Sequence, residues 1–439
     1  MKKRLISILL ATAMTATLIS GCGSGSGGSS AETDSSSGDD EVVTLTYWGW
    51  DSNFYEPMFE AYEAEHPNVH FEPTAVEYGE MITKAQQALA SGSELPTMLA
   101  LSNNSIATWK DMDICEDLTK YGFEVDNYLD SLASMTVTDD GAVIGIEESI
   151  NPAAVAYKRD LALEYFGTDD PDELYEMFSS YDAYVEKGKE VHDKSNGEVF
   201  LFHSGQTIAE WFYFASDIPT MEDDTVQYTD KMGDTMDKLI ELRDVGAVDT
   251  YQNGTPEANA TYADDKHIFY PCPNWAITYY IMENDPDGAG NWGIMPSPVN
   301  YNSGGSALAM TKSATEEQKE AAYDFMIWAF EGDGAEIARD KVGYITPYLE
   351  KMNDPEWTKT SDEINEFFGG QDVGEVFYQV IAPDMTIVPT CAWEETIISV
   401  RNDVAQQLVD NTSMTLDEGL DLGKEQLEQL ITDDNLTIN

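Results

Sequence analysis

The sequence predicts an α/β protein built from two lobes. The chain has 439 residues, of which 42% are hydrophobic, and this length exceeds what a single hydrophobic core usually supports. From residue 42 onward, short runs rich in β-branched and aromatic residues alternate with amphipathic stretches. Such alternation is typical of strands and helices that form a parallel sheet.

The charge balance excludes several classes of function. The chain carries 23 Lys and Arg against 82 Asp and Glu, which gives a formal net charge of −59. Nucleic-acid binding needs a basic surface, and so does binding to an anionic membrane surface. We therefore predict no nucleic-acid partner. The hydrophobic content is too high for disorder, so the charge describes an acidic globular surface.

The N-terminus predicts export. A basic start is followed by an apolar run at residues 5–19 and then by Ser20, Gly21 and Cys22. Residues 1–21 are typical of a signal peptide, and the cysteine after small residues resembles a bacterial lipoprotein box. We expect cleavage before Cys22 and a lipid on its sulfur that anchors the protein to the outer face of the cell membrane. A secretory signal with an incidental cysteine is the alternative.

The next stretch predicts a tether. Residues 22–41 consist mostly of Gly, Ser, Asp and Thr, a composition typical of a flexible linker. Beyond it, Cys115, Cys272 and Cys391 allow at most one disulfide, and whether any two of them pair stays open. Because no two cysteines have metal-site spacing, we predict no metal and no cofactor.

Strand and helix signals follow one another in the first part of the folded region. The predicted elements are a strand at 42–48, a helix at 54–65, a strand at 69–71, a helix at 78–90 and a strand at 97–101. Asp51 and Ser52 are candidate caps of the first helix. The second helix should bury Ile82, Ala85 and Leu89 and end at Gly92. Ligands of parallel sheets bind at the carboxyl ends of strands, which draws attention to the loops at 48–53, 76–79 and 102–105.

Two later helices begin with capping boxes. The helix predicted at 315–330 begins at Thr315, and the one predicted at 415–431 begins at Thr415. The second should bury one face formed by Leu416, Leu420, Leu427 and Leu430. Both are packing helices that support the fold.

Several segments occur in an order shared with one family. They are Leu45–Trp50, Glu65–Val69, Ala88–Gly92, Leu95–Met98, Ala156–Leu161, Gly293–Pro298, Gly304–Leu308 and Glu320–Met326. Together they resemble the extracellular solute-binding proteins that serve ABC importers, in particular the sugar-binding branch that includes maltose-binding protein. Thr97 stands where that family usually has Asp, and Lys158 stands where it usually has Asn.

The resemblance implies a two-lobed periplasmic-binding fold of type II with a ligand cleft between the lobes. The N-terminal lobe would comprise residues 42–150 and 302–345, and the C-terminal lobe residues 151–301 and 346–439. The protein would be a monomer that captures a carbohydrate, closes around it and delivers it to the transmembrane subunits of an ABC permease. It would not be an enzyme.

Aromatic and polar residues near the strand ends are the candidate ligand contacts. Aromatic rings offer flat apolar platforms to sugar rings, and charged or amide groups bind hydroxyls. From the first lobe these candidates are Trp48, Trp50, Asp51, Tyr78, Asn103, Asn104 and Glu148. The resemblance adds Trp211, Trp275, Gly305, Trp393 and Glu394. Tyr344, in a segment that could instead serve as a third crossing between the lobes, is a further candidate. We assign Trp109, Trp292 and Trp328 to the core.

Other functions stay open as alternatives. The chain has no HExxH, GxSxG or GxxxxGK[ST] motif, so zincin, α/β-hydrolase and P-loop functions lack support. A glycoside hydrolase needs only two carboxylates, which any acidic chain supplies by chance. A polyamine or a peptide could replace the sugar as ligand, and a sensory receptor could replace the permease as partner.

Overall fold

The computed structural model describes residues 42–388, 390–432 and 435–439. The predicted signal peptide, the lipidation residue Cys22 and the linker at 22–41 lie outside the described residues. In the parts of the chain that are described, no helix is both long and apolar enough to cross a bilayer.

The strands and helices alternate along much of the chain. The strands are β1 (Val43–Gly49), β2 (Val69–Ala75), β3 (Met98–Ser102), β4 (Ile146–Glu147), β5 (Pro152–Lys158), β6 (Met221–Glu222), β7 (Thr225–Val226), β8 (Phe269–Pro273), β9 (Trp292–Met295), β10 (Tyr301–Asn302), β11 (Ser306–Met310) and β12 (Thr437–Ile438). The helices of the first half are α1 (Ser52–Glu65), α2 (Met81–Ser91), α3 (Ile106–Met112), α4 (Asp130–Ala133), α5 (Arg159–Phe166), α6 (Pro171–Met177), α7 (Tyr181–Ser195) and α8 (Gly205–Ala215). Those of the second half are α9 (Tyr228–Asp244), α10 (Pro256–Asn259), α11 (Glu316–Phe330), α12 (Gly334–Val342), α13 (Leu349–Met352), α14 (Asp362–Phe367), α15 (Glu394–Asp410) and α16 (Leu416–Leu430).

A mixed sheet forms the centre of the first lobe, with strand order β2–β1–β3–β11–β4. Strand β1 pairs in parallel with β2 and β3, as the alternation of strands and helices predicts. The expectation of a wholly parallel sheet is wrong, because β11 runs antiparallel to both β3 and β4. Parallel neighbours need a crossover connection, whereas β11 enters the sheet directly from β10 through residues 303–305.

Both faces of this sheet are buried. Because side chains alternate across a strand, one strand contributes to the cores on both sides. In β3, Met98 and Ala100 join a core that also contains residues of α1 and α11. Leu99 and Leu101 face the other way and join a core with α2 and α3. The carboxyl ends of β1 and β3 therefore emerge from a rigid platform and carry the loops at 50–51 and 103–105 towards the second lobe.

The second lobe is built on a sheet of order β10–β5–β8, with β9 also pairing with β5. Every residue of the central strand β5 is buried. One face packs on a core with α7, α8, α9 and α15. The other face packs on residues that include the π-helical turns Ile277–Met282 and Glu375–Ile381. A small third sheet has the order β12–β7–β6.

Helix signals in the sequence are largely confirmed, with three corrections. Capping boxes are present at Thr315 and Thr415, and Gly92 ends α2 in the left-handed conformation. However, α2 begins three residues late, after a 3-10 turn at Tyr78–Glu80. Leu89 is 47% exposed and Leu430 is 54% exposed, so neither belongs to its predicted buried face. Asp51 occupies the N-cap position of α1, but its side chain makes no capping hydrogen bond.

Candidate ligand-binding site

A cavity of about 420 Å³ lies where the two lobes meet. The chain crosses between the two main sheets at residues 148–151 and 303–305, and both crossings contribute to the cavity wall. The lining residues are Trp50, Asp51, Tyr78, Asn104, Ser149, Asn151, Glu210, Phe214, Trp275, Tyr279, Tyr280, Ser303, Gly304, Gly305, Ser306, Tyr344, Ile398 and Arg401. The volume is in the range of small-molecule sites.

Aromatic rings from both lobes form much of the wall. Trp50 meets Tyr78 edge to face, with 5.0 Å between ring centroids. Trp275, on the second lobe, lies 5.8 Å from Tyr280 and donates from its indole nitrogen to the Ser303 carbonyl at 2.9 Å. Because that hydrogen bond fixes the indole, Trp275 presents a preorganised flat surface.

Buried carboxylates define the first-lobe end of the cavity. Asp51 is 5% exposed and accepts a hydrogen bond from the Tyr279 hydroxyl at 3.4 Å. Glu148 lies behind it and accepts hydrogen bonds from Tyr55 and Ser306. Burial raises the pKa of both carboxyls, and the charge of Asp51 adds to the rise in the pKa of Glu148. Perturbed carboxyls of this kind are typical of functional sites.

Asn103 and Glu147 support this wall from behind. The Asn103 amide donates to Glu147 at 3.0 Å, and burial raises the pKa of Glu147 to about 8. Gly305 packs against the same asparagine: a Cβ at 305 would come within 2.5 Å of its amide nitrogen. Since Gly305 also has φ of +111°, this close approach requires glycine.

Arg401 forms the second-lobe end. Its side chain is almost fully buried, stacks on the Tyr213 ring with 5.0 Å to the centroid, and donates to Asn402 at 2.9 Å. The Glu210 carboxylate lies 3.8 Å away and also accepts from Ser303 at 3.2 Å. One guanidinium nitrogen, Nη1, has no hydrogen-bond partner among the described residues. The cavity therefore contains a donor fork beside a carboxylate acceptor.

The lobes touch each other at the cavity edge. The Tyr78 hydroxyl donates to Glu395 of α15 at 2.9 Å and lies 2.6 Å from Ser102. The Thr390 hydroxyl donates to the Asn103 carbonyl at 2.9 Å. These contacts join the carboxyl end of β3 to the start of α15.

The family is decided by residues 57–365, which match the model of the bacterial extracellular solute-binding protein family. The chain belongs to this family. Membership makes it an exported solute-binding protein, a class whose members bind and do not transform their ligands.

Solved structures of this solute-binding protein's fold include proteins from several bacteria. An ABC transporter associated binding protein from B. animalis subsp. lactis, in complex with beta-1,6-galactobiose, is 20% identical, has a TM-score of 0.73 and covers 91% of this chain and 100% of its own. The galacto-N-biose-/lacto-N-biose I-binding protein from Bifidobacterium longum is 18% identical, with a TM-score of 0.71 and coverage of 91% and 99%.

The sugar-binding protein MalE from Xanthomonas citri is 15% identical, with a TM-score of 0.69, and covers 88% of this chain and 98% of its own. At these identities the likeness establishes the two-lobed fold. No curated protein sequence matches the chain.

Seven of the residues predicted as ligand contacts of this solute-binding protein line the cavity. They are Trp50, Asp51, Tyr78, Asn104, Trp275, Gly305 and Tyr344. Two more, Asn103 and Glu148, lie directly behind the lining, where they hold Gly305 and Ser306. Whether the lining residues contact a ligand remains a prediction.

Trp48 and Trp211 do not line the cavity. Trp48 points to the α2 side of the sheet, where the Lys84 amine lies 4.1 Å above its ring. Trp211 is 2% exposed and packs in the second-lobe core against Phe212 and Tyr184. The reason is helical phase, since Glu210 occupies the cavity-facing position of α8 and the next residue turns about 100° away.

Trp393 and Glu394 also lie elsewhere. Trp393 packs against the second-lobe core at the start of α15. Glu394 is 1% exposed and accepts hydrogen bonds from Tyr213 at 2.5 Å and Thr220 at 3.3 Å. It therefore stabilises the second lobe from inside.

Several lining residues are not among the ligand contacts predicted from the sequence. Glu210 and Phe214 are four residues apart on α8, and Ile398 and Arg401 are three apart on α15, spacings that place each pair on one helix face. This spacing was a usable signal for a shared face. Which face meets the other lobe depends on tertiary packing, which the sequence pattern does not encode.

The three cysteines of the described residues do not line the cavity. Cys115, Cys272 and Cys391 are free thiols. Burial raises the pKa of Cys115 to about 12 and that of Cys391 to about 12, which favours the protonated thiol. Across the described ranges, no cluster of three or more His, Cys, Asp or Glu side chains could hold a metal ion.

Proposed function

We propose that this solute-binding protein captures a carbohydrate in the cavity between its lobes and delivers it to the permease of an ABC transporter. The observation that carries the proposal is the cavity wall itself. Aromatic rings such as Trp50 and Trp275 stand on opposite lobes, and charged groups stand beside them. That combination fits a sugar, which has weakly apolar ring faces and a hydroxyl edge.

The polar groups divide the hydroxyl recognition between the two lobes. Asp51 offers acceptor oxygens at one end, while Arg401 and Glu210 offer donors beside an acceptor at the other. A hydroxyl both donates and accepts, so it can pair with either end. Charged partners make these hydrogen bonds stronger than neutral ones.

Similar structures support the carbohydrate assignment. Two of the proteins that share this fold are described with the disaccharides beta-1,6-galactobiose and lacto-N-biose bound. Both are binding proteins of ABC transporters, which supports a permease as the partner here.

Hinge closure is the proposed mechanism of capture. We assign residues 42–150 and 302–345 to one lobe and residues 151–301 and 346–439 to the other, so that the crossings at 148–151 and 303–305 serve as hinges. Closure around the ligand buries it and forms a surface that the permease recognises. The protein acts as a monomer in this scheme.

Attachment to the membrane is a separate part of the proposal. Family membership makes the protein extracellular. We propose that a lipid on Cys22 retains it at the outer face of the membrane, with residues 22–41 as the tether. Cys22→Ser should release the protein into the medium, as fractionation and immunoblotting would measure. If the variant stays in the membrane fraction, the lipid anchor is wrong.

A thermal-shift screen over mono- and oligosaccharides, polyamines and peptides tests the proposed ligand class. A ligand at 100 times its dissociation constant stabilises the folded state by about 2.7 kcal/mol. We expect sugars to raise the melting temperature of the protein, and to raise that of the Trp275→Ala variant by a clearly smaller amount at the same ligand concentration. If only polyamines or peptides produce a shift, the carbohydrate assignment is wrong.

A further inference from the structure

Among the described residues, no cationic side chain pairs with Asp51 or Glu148 at the first-lobe end of the cavity. Among the described side chains, the Tyr279 hydroxyl is the donor to Asp51, and it is distant at 3.4 Å. Glu148 accepts hydrogen bonds from two hydroxyl groups, and among the described residues no basic group donates to it. Burying two carboxylates close together without a cation is costly, because each loses water and repels the other.

The cationic side chain that lines the cavity stands on the other lobe and is already engaged. Among the described lining residues, that cation is Arg401. Its charge is balanced by Glu210 at 3.8 Å, and Asn402 accepts from two of its nitrogens. Charge is therefore compensated at the second-lobe end of the cavity and left uncompensated at the first-lobe end.

The pKa values of these carboxyls agree with this description. Burial raises the pKa of Asp51, and burial together with the charge of Asp51 raises the pKa of Glu148. A cation within about 4–6 Å would lower such a pKa by about 1–3 units. A cation that binds beside Asp51 would therefore stabilise the ionised carboxylate, and this stabilisation would favour binding of the cation.

Aromatic rings surround the same end of the cavity. Trp50, Tyr279 and Tyr344 line it beside Asp51, and Tyr78 meets Trp50 edge to face. The faces of such rings attract cations, most strongly in sites shielded from water. A carboxylate next to aromatic faces is a combination that favours a protonated amine over a neutral hydroxyl.

We propose that the sugar bound by this protein carries a protonated amino group and that this group binds at Asp51, with Glu148 behind it. The ligand class is therefore an amino sugar or an oligosaccharide that contains one. This inference rests on the proposed carbohydrate function and narrows it.

A matched set of ligands tests the inference. Each sugar that shifts the melting temperature is compared by isothermal titration calorimetry in three forms that differ at one carbon: free amine, N-acetyl and hydroxyl. We expect the free amine to bind at least about tenfold more tightly, since one pKa unit corresponds to tenfold in affinity. Equal or tighter binding of the hydroxyl form overturns the inference and leaves the carbohydrate function standing. If no sugar of any form binds, both proposals fail.

Asp51→Asn tests the residue assignment. The variant keeps the shape of the side chain and removes its charge, so both forms should bind more weakly, and the preference for the amine over the hydroxyl should disappear. Asp111→Asn, an exposed change on the same lobe, is the control and should retain the preference. A preference that survives in Asp51→Asn contradicts the assignment.

Proton release provides a readout that needs no variant. Because an amine at Asp51 would ionise its carboxyl, binding near neutral pH should release protons, and the binding enthalpy should depend on the ionisation enthalpy of the buffer. The titratable groups that interact with Asp51 are Glu148, Tyr47, Tyr55, Tyr279 and Tyr344. The tyrosine pKa values are all raised, so the tyrosines stay protonated and do not contribute. Enthalpies that are identical in all buffers contradict the inference.

Discussion

Trp275 is the aromatic residue whose role follows most directly from its contacts. Its indole nitrogen donates to the Ser303 carbonyl, and its backbone N–H donates to the Asn274 side chain at 2.9 Å. Both bonds hold the ring at the cavity wall before any ligand arrives. A preorganised ring loses little side-chain entropy on binding, which makes it an effective platform.

Trp275→Ala should weaken ligand binding by about 2 kcal/mol, the loss typical of a central aromatic contact. Trp357→Ala is the control, because Trp357 stacks on Lys351 and Arg339 and does not line the cavity. It should leave the dissociation constant unchanged. Both are measured by calorimetry, and equal losses of affinity in the two variants would contradict the placement of the site.

The contacts of His267 predict how the stability of the fold depends on pH. Its ring lies between two carboxylates: Nδ1 is 3.0 Å from Oδ2 of Asp264, and Nε2 is 3.1 Å from Oδ2 of Asp249. Burial favours the neutral ring, but hydrogen bonds to the two carboxylates outweigh burial, and the pKa of His267 is raised above 6.5. Its contribution to stability is therefore complete below the unfolded-state pKa and is lost as pH rises through the folded-state pKa.

The His267→Gln variant should accordingly lose the most stability in acid. The difference in free energy of unfolding between wild type and variant should be largest near about pH 5.5 and shrink as the pH approaches about 9. Urea denaturation at a series of pH values measures it. A difference that stays constant with pH would mean that the charge on His267 does not stabilise the fold.

At the scale of elements, a close helix contact sets a steric requirement. Helix α16 passes α9 at Gly423, where an added Cβ would collide with the hydroxyl of Tyr228. Gly233, on α9, is different, since an added Cβ there would meet only the Leu420 side chain at 4.0 Å. The two glycines are both helical, so they form a matched pair.

Gly423→Ala should therefore destabilise the protein by about 1–3 kcal/mol through overpacking. Gly233→Ala should be neutral or stabilise by up to about 1 kcal/mol, because alanine favours helix. Thermal or urea denaturation compares them. Equal effects of the two changes would show that α16 and α9 are not packed as described.

The sequence predicts elements where the signal is local. Caps at Thr315 and Thr415 and the stop at Gly92 depend on neighbouring residues, and each lies where it was expected. The direction of β11 could not be predicted in the same way, because it is set by the chain returning from the other lobe. Leu430 shows the same limit, since it belongs to a helical stripe but lies beyond the packed part of α16.

The binding site divides similarly. Trp50 and Asp51 follow a strand directly, so strand order and loop position predict them. To predict Arg401 and Glu210 as lining residues, one would need to know which faces of the two lobes meet. The family resemblance implies that Trp211 contacts the ligand, whereas its position on α8 turns it into the core.

For the whole molecule, we predict that the contacts between the lobes affect ligand capture. The Tyr78 hydroxyl donates a hydrogen bond to Glu395 across the cavity edge, and a separation of the lobes would break this contact. Glu395→Ala should shift the protein towards open forms and raise the dissociation constant about two- to tenfold, the effect of losing one hydrogen bond.

Small-angle scattering and calorimetry test that expectation together. The unliganded Glu395→Ala variant should have a larger radius of gyration than wild type, and ligand should restore the compact form. Glu428→Ala, an exposed change on α16, is the control. An unchanged radius and affinity in Glu395→Ala would show that this contact does not hold the lobes together.

The cavity between the lobes should bind a carbohydrate. Calorimetric titration of the purified protein with the sugar that raises its melting temperature most tests this directly. We predict one ligand per chain, a dissociation constant of about 1 μM, and about 30-fold weaker binding in Trp275→Ala. Absence of binding by any sugar, or full affinity in Trp275→Ala, would contradict it.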